Sequence, residues 1–454
     1  MNSSYVTQLF DLVLSPTGFI GIMVGLLIVV QALRIQPLAW VLFSLCCFCA
    51  SLAKFRNQFI LEPPPLVFPL QQLREFGRPI TIILLGMLLI LTLAKRTSWR
   101  KQVLASPIKY LIVVQLVIFL KTLSGGSLLF AAFSSAVFAL VTYVVIAGPA
   151  KWVNNDQSFQ YAIGSIALVG LVFLGVNGYQ AVIDIYPITF SHGRLNGTTG
   201  NAQHAAVLLA TTIPCFLFWI ETQRRFNLKL FGIVSVCLIG LALAMTGSRT
   251  GMCMAITTIL FFYRNKGKSF INTAILLGIV SVIIVMFLGK DGAILGADQT
   301  AVSARLLSTE HTRQLVWKAM WRAFSDNLVF GMPLVKNRLG YGESSWLAAG
   351  ASLGLVGFIP LLLFGVECLR SIWRLGKLAI LRPRYSNHCD TIIAGVSCLL
   401  VGSFFEPFLL GNLSFALFAL LTYLSLGQYL LEVQKVQESY YQLSKNRTMS
   451  IGVS

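Results

Sequence analysis

Residues 230–263 read "LFGIVSVCLIGLALAMTGSRTGMCMAITTILFFY", and this stretch decides the class of fold. Apart from Arg249 it carries no charged residue. An α-helix needs about 20 apolar residues to cross a bilayer, so the stretch predicts two spans joined by a short turn at Met245–Met252. A charge at membrane depth costs about 2.5–3.5 kcal/mol even on lenient insertion scales. We therefore expect a partner or ligand that compensates Arg249.

The same apolar character runs along the whole chain of 454 residues, of which 56% are hydrophobic and only 11% are charged. Soluble domains carry about 25% charged residues. The sequence therefore predicts an all-α polytopic membrane protein with 12 or 13 transmembrane helices. Candidate spans begin near Gly18, Pro37, Pro79, Pro107, Leu128, Gln160, Gln203, Leu230, Gly251, Ile271, Ser345, Thr391 and Leu413.

The formal net charge of +19 comes from short basic clusters between the apolar runs. Such clusters mark the cytoplasmic side of membrane proteins. We therefore interpret the positive charge as a sign of membrane topology and predict no nucleic-acid partner. Residues 222–229, 263–269 and 369–388 and the tail after Leu431 are predicted to be cytoplasmic. Residues 178–202, the Arg249 turn and residues 290–344 then lie on the outer side. Nine cysteines lie in or beside apolar runs, which is typical of small buried side chains and predicts no metal site.

Five segments follow from this pattern. We predict N-terminal transmembrane helices in 1–158, central helices in 159–289, a long external loop in 290–344, C-terminal helices in 345–432 and a cytoplasmic tail in 433–454.

The external loop contains "TRQLVWKAMWRAF" at residues 312–324. Val316, Met320 and Phe324 recur at helical spacing, with Trp317 and Trp321 on a neighbouring stripe. The pattern predicts an amphipathic helix near 312–325 on the outer membrane surface, with Arg313 directed inward. The tryptophans then act as interfacial anchors or contact a substrate directly.

Arginines on the predicted outer side are not explained by topology. Arginine presents a planar fork of donors that fits phosphate oxygens, so the cluster favours a polyanionic ligand. Local pairing with Asp184, Asp298 or Glu310, or snorkelling to the interface, is the alternative. The arginines concerned are Arg194, Arg249, Arg305, Arg313, Arg322 and Arg338.

The stretch "RLNGTTGNAQHAA" at residues 194–206 adds to this interpretation. Gly197 and Gly200 permit the backbone to approach a ligand closely. Asn201 comes just before an apolar helix that starts near Gln203, and the amides of a helix start favour an anion. These three residues join Arg194 as candidate ligand-binding residues.

The order of these motifs resembles the O-antigen ligase and polymerase superfamily over Arg194 to Pro360. The loop sequence "RQLVWKAMWRAFSDNLVFGMP" at residues 313–333 resembles the family's arginine, tryptophan and glycine pattern. Glu343-Ser344, nine residues and then Gly354-Leu-Val-Gly357 match the spacing of a further family motif. In that motif the family has a histidine where this chain has Glu343.

The resemblance implies a multi-pass protein of the bacterial inner (plasma) membrane with its active site facing the periplasm or exterior. Such proteins transfer a glycan from an undecaprenyl-diphosphate carrier to the sugar hydroxyl of an acceptor glycan or lipid, with no cofactor and no metal. By this similarity Arg194 and Arg249 hold the diphosphate, and Arg313 and Arg338 are further substrate contacts. The missing histidine favours a polymerase slightly over a ligase, both acting in O-antigen or exopolysaccharide assembly.

The reaction needs a base for the attacking hydroxyl, and Glu343 and His311 are the candidates. His192 is a weaker one, and His204 and His388 are interpreted as structural. Simple pairing of Glu343 with Arg338 or Lys336 stays open. Two other functions also stay open: a transporter or transport-associated protein of the same superfamily, for solute or bicarbonate uptake, and a scaffold that only binds the carrier lipid.

Overall fold

The computed structural model describes residues 16–52, 64–94, 104–126, 128–153, 155–190, 193–267, 313–333, 342–411 and 413–432. These residues form helices and contain no strand. The helices are α1 (Pro16–Arg34), α2 (Gln36–Ser51), α3 (Leu70–Glu75), α4 (Gly77–Ala94), α5 (Ser106–Ser124), α6 (Leu128–Trp152), α7 (Asp156–Ile183), α8 (Tyr186–Thr189), α9 (Ala202–Thr222), α10 (Phe226–Met245), α11 (Arg249–Tyr263), α12 (Gln314–Asp326), α13 (Ser345–Leu381), α14 (Ser386–Phe405) and α15 (Phe415–Glu432).

The membrane-like architecture predicted from composition is confirmed. Within the described residues, nine helices are long and apolar enough to cross a bilayer, and α1, α2 and α11 are shorter apolar helices. Their starts follow the predicted ones closely, because an apolar run of span length has few other ways to satisfy its backbone in lipid. The span predicted near Ile271 lies outside the described residues.

The helix ends fall into two groups. At one end, Arg264 pairs with Asp390 at 3.0 Å and Lys266 approaches the same carboxylate at 3.3 Å. Arg384 pairs with Asp156 at the same end, at 2.9 Å. Because two of the segments predicted to be cytoplasmic, 263–269 and 369–388, lie here, we call this the basic end. The opposite end, the site end, carries Arg194, Arg249 and Arg313.

The centre of the bundle is formed by α9, α14 and α15, whose apolar windows are the most buried of the described spans. The fully buried Tyr423 ties them together: its hydroxyl donates to the Thr211 carbonyl at 3.0 Å and its ring packs on Gly395. The turns and loops at the site end are therefore anchored to the best-packed helices.

The span that begins at Ser345, as predicted, is not a continuous helix. Gly354 interrupts α13 with φ 64° and ψ −159°. The loop after α12 crosses the break: Leu355 donates its amide to the Leu328 carbonyl, and Met332 donates to Ala351, both at 2.8 Å. The Lys121 ammonium, on α5, donates to the carbonyl oxygens of Phe330 and Ser352. The loop and a lysine thus satisfy backbone groups that the break releases.

Candidate functional site

The Arg194 turn and the Arg249 turn are adjacent in the fold, although 55 positions separate the two arginines. Arg194 donates its Nε–H to the Thr246 carbonyl at 2.7 Å. The next amide, that of Leu195, donates to the Met245 carbonyl at 3.0 Å. Thr246 lies three positions before Arg249, so the first turn orients its arginine against the second.

Three predicted ligand contacts in the Arg194 turn have local structural roles. Gly197 has φ 58°, and a Cβ there would meet the Phe173 ring at 2.6 Å, so the turn rests directly on α7. Gly200 is left-handed, with φ 65°. Asn201 caps α9, its Oδ1 accepting the Gln203 amide at 2.8 Å. These contacts account for the residue types; whether the three residues also contact a ligand stays a prediction.

The Arg249 turn is held by its serine and by two glycines. Ser248 caps α11, its Oγ accepting the Gly251 amide at 3.3 Å, and Gly247 has φ 57°. Gly251 packs against Ala206, where an added Cβ would lie at 2.6 Å. Since Ala206 is on the first turns of α9, the two turns and the starts of α9 and α11 form one packed unit. Both arginine side chains at its surface are partly exposed.

The amphipathic helix predicted at 312–325 is confirmed as α12, Gln314–Asp326. Met320 and Phe324 of the predicted stripe do face the bundle, where Met320 lies beside Gly342, but Trp317 takes the place of Val316. Trp317 stacks on Phe405 with ring centroids 6.0 Å apart, and Phe324 packs on Gly350, whereas Val316 is 36% exposed. Arg313 precedes α12 on the same side and binds two carboxylates of the bundle.

Arg313 lies between Glu343 and Glu406. Its Nη2 is 2.9 Å from Oε1 of Glu406, and its Nε is 3.3 Å from Oε2 of Glu343. Its Nη1 donates to the Phe405 carbonyl. Glu343 therefore does pair with an arginine, but the partner is Arg313; Arg338 and Lys336, the partners considered from the sequence, lie outside the described residues.

Sequence reasoning missed Glu406. A residue before a proline is disfavoured in the α-region, so α14 ends at Phe405 and Glu406 adopts an extended backbone ahead of Pro407. Ser345 clamps this corner: its hydroxyl donates to the Glu406 carbonyl at 2.6 Å and accepts the Leu409 amide at 3.3 Å. The available signal was a single carboxylate, directly before a proline, at the end of a long apolar run.

Burial separates the two carboxylates. The Glu406 side chain is 7% exposed and that of Glu343 is 38% exposed. Burial raises the pKa of Glu406 to about 7; the neighbouring Arg313 lowers it and Glu343 adds to the increase. The cluster therefore holds a carboxyl group that changes charge near neutral pH.

The arginine turns and the Arg313 cluster lie at the same end of two helices in contact. Gly402 of α14 packs against Met254 of α11, where an added Cβ would lie 2.8 Å from the methionine side chain. Arg249 precedes Met254 by five residues and Glu406 follows Gly402 by four. At about 1.5 Å per residue, both groups lie about two turns or less beyond this contact on the same side.

The remaining candidates divide into two groups. His192, Arg305, His311 and Arg338 lie outside the described residues. Among the described ones, His388 is 8% exposed, and its ring packs against Phe159 and Phe218 at centroid distances of 4.7 and 5.1 Å. That aromatic environment at the basic end agrees with the structural role predicted for it.

Comparison with known proteins does not assign the chain. No family model matches it, and no curated protein matches it either. The resemblance to the O-antigen ligase and polymerase superfamily therefore rests on the motifs alone.

Proposed function

We propose that the protein is a metal-independent glycosyltransferase of the bacterial inner membrane. It transfers a glycan from an undecaprenyl-diphosphate carrier to an acceptor sugar hydroxyl, as a polymerase or ligase of O-antigen or exopolysaccharide. The observation that carries the proposal is the meeting of the Arg194 and Arg249 turns at the end of the bundle that also carries Arg313 and Glu343.

The charges of the arginines and of Glu343 assign them different roles in the transfer. As the acceptor oxygen attacks the anomeric carbon, the bond from that carbon to the diphosphate breaks, and the diphosphate keeps the electron pair. Arg194 and Arg249 stabilise the charge that develops there. Glu343 takes the proton of the acceptor hydroxyl; its side chain is 38% exposed, so a substrate can reach the carboxylate.

The alternative function is that of a transporter of the same superfamily. The interrupted helix α13 favours it, because transporters bind substrates at broken helices. Here the backbone groups at the break are bonded by the loop 328–332 and by Lys121. The break thus has an internal structural role. Purified protein in proteoliposomes separates the two functions: the enzyme is expected to transfer glycan and to take up no solute. The same result excludes a scaffold that only binds the carrier.

Binding of the carrier tests the arginine site. Arg249→Ala is expected to weaken binding of undecaprenyl diphosphate about 10–100-fold, since a hydrogen bond to a charged group contributes about 1.5–3 kcal/mol. Titration of the detergent-solubilised protein with undecaprenyl diphosphate, followed by intrinsic fluorescence, measures the effect.

Arg224→Ala is the matched control, because Arg224 is an exposed arginine at the basic end. It is expected to bind as the parent does. If the Arg249→Ala variant bound undecaprenyl diphosphate as tightly as the parent, the diphosphate would not bind at this turn.

Sidedness is tested by cysteine labelling. The excess of Lys and Arg favours a cytoplasmic location for the basic end. In a background with Cys237 and Cys253 replaced by alanine, a membrane-impermeant maleimide is expected to label Ser325→Cys on α12 in spheroplasts. The same reagent is expected to label Asn227→Cys on α10 only after lysis. Both positions are exposed and uncharged, so each serves as the control for the other. The reverse pattern would invert the proposed topology.

A further inference from the structure

Two carboxylates share one guanidinium at the site end, and they are not equivalent. Glu406 is 5% exposed as a residue and makes the shorter, hydrogen-bonded contact with Arg313, at 2.9 Å. Glu343 is more exposed and lies at 3.3 Å without a hydrogen bond. The buried group therefore holds the arginine, and the exposed group faces the direction from which a substrate can arrive.

We propose that Glu406 is a positioning residue for the transfer reaction: it holds Arg313 and compensates the charge of that residue, so that Glu343 stays basic enough to take the acceptor proton. The inference rests on the proposed function and adds a residue to it.

The physical reason is the competition for Arg313. A carboxylate beside an uncompensated guanidinium loses proton affinity, which makes it a weaker base. A second carboxylate on the same guanidinium restores that proton affinity. The efficiency of a general base increases with its proton affinity. The Pro407 corner and the Ser345 clamp fix the backbone of Glu406, so its carboxyl group stays beside Arg313.

The pH at which this compensation is lost is set by the groups around Glu406. Arg313 faces it from the segment preceding α12 and Glu343 from the segment preceding α13. Arg249 begins α11, the helix packed against α14. Because burial brings the pKa of Glu406 to about 7, the residue is neutral below that pH and Arg313 is then compensated by Glu343 alone. Turnover is therefore expected to increase as pH rises through about 7.

The test compares Glu406→Gln with the parent in steady-state glycan transfer between pH 5.5 and 8.5. At pH 8 the variant is expected to lose about 10–100-fold in kcat, with KM for the lipid-linked donor unchanged and the inflection near neutrality abolished. Glu406→Asp is expected to retain the inflection. Glu367→Gln is the matched control, because Glu367 is also a buried carboxylate paired with an arginine, Arg370, but at the basic end.

A second measurement does not depend on activity. Infrared difference spectra of protein labelled with ¹³C-glutamate are expected to show a carboxyl group that titrates near neutrality in the parent and is missing in Glu406→Gln. In that variant, the carboxylate stretching band of Glu343, identified by its loss in Glu343→Gln, is expected to shift in frequency, because Arg313 then pairs with Glu343 alone. If Glu406→Gln fails to fold, Glu406→Asp should move it in the same direction by a smaller amount.

The outcomes separate the inference from the function. An unchanged Glu343 carboxylate band, or a kcat loss that leaves the inflection in place, would overturn the role of Glu406. Absence of glycan transfer by the parent, with the Glu406 titration and the Glu343 band as expected, would overturn the proposed function and leave the coupling between the two carboxylates standing.

Discussion

Gly354→Ala is expected to cost on the order of 5 kcal/mol of unfolding free energy. The backbone of Gly354, with φ 64° and ψ −159°, is open almost only to glycine, and such strain costs about 1–3 kcal/mol for other residues. An added Cβ would also lie 2.3 Å from the Val329 carbonyl oxygen. That oxygen belongs to the crossing loop, whose three backbone hydrogen bonds to α13 contribute about 1 kcal/mol each.

Reversible unfolding in mixed micelles of sodium dodecyl sulfate and a mild detergent measures this cost. Gly331→Ala is expected to behave similarly, since Gly331 has φ 70° and its added Cβ would lie 2.5 Å from the Ser352 carbonyl carbon. Gly240→Ala in α10 is the matched control: no atom lies within 4 Å of its added Cβ, so the variant should be as stable as the parent or more so. A stable Gly354→Ala protein would contradict the crossing of the loop through the break.

Asp390→Asn is expected to lose about 3–5 kcal/mol of unfolding free energy, because it removes the only carboxylate contacting Arg264 and Lys266 among the described residues. Asp390 is fully buried at the start of α14, and the two cations approach it from beyond the end of α11. Without the carboxylate both positive charges stay partly buried against each other. The same unfolding assay measures the loss.

Asp156→Asn provides the comparison. Asp156 pairs with Arg384 at 2.9 Å, but their side chains are 47% and 76% exposed, so water screens the pair. This variant is expected to unfold at nearly the same free energy as the parent. Equal stability of Asp390→Asn and Asp156→Asn would show that Arg264 and Lys266 reach solvent when their partner is lost.

Much of the architecture follows from local sequence pattern. The starts of the spans and the position of α12 were predicted within a few residues, because apolar runs of membrane length and amphipathic spacing each favour one conformation. The adjacency of the Arg194 and Arg249 turns was also expected, since a hairpin and the helix before it place both turns at one end of the bundle. Their role as a diphosphate site stays a prediction.

The partners of the site residues did not follow from the sequence. Arg313 and Glu406 are 93 positions apart, and the loop that crosses α13 reaches Gly354 from residues 328–332. Gly354 and Gly357 were interpreted as a family motif, whereas the conformation of Gly354 is required by the crossing backbone.

The sequence by itself determined that this chain forms apolar helices, where they begin, and which ends carry arginine. Only the tertiary structure decided which carboxylate holds Arg313, which face of α12 packs on the bundle, and where α13 breaks. The physical reason is the distance along the chain over which each interaction acts. Burial of an apolar run in lipid depends on residues that are neighbours in sequence. Compensation of a buried charge or of a released backbone group depends on which distant segment packs beside it.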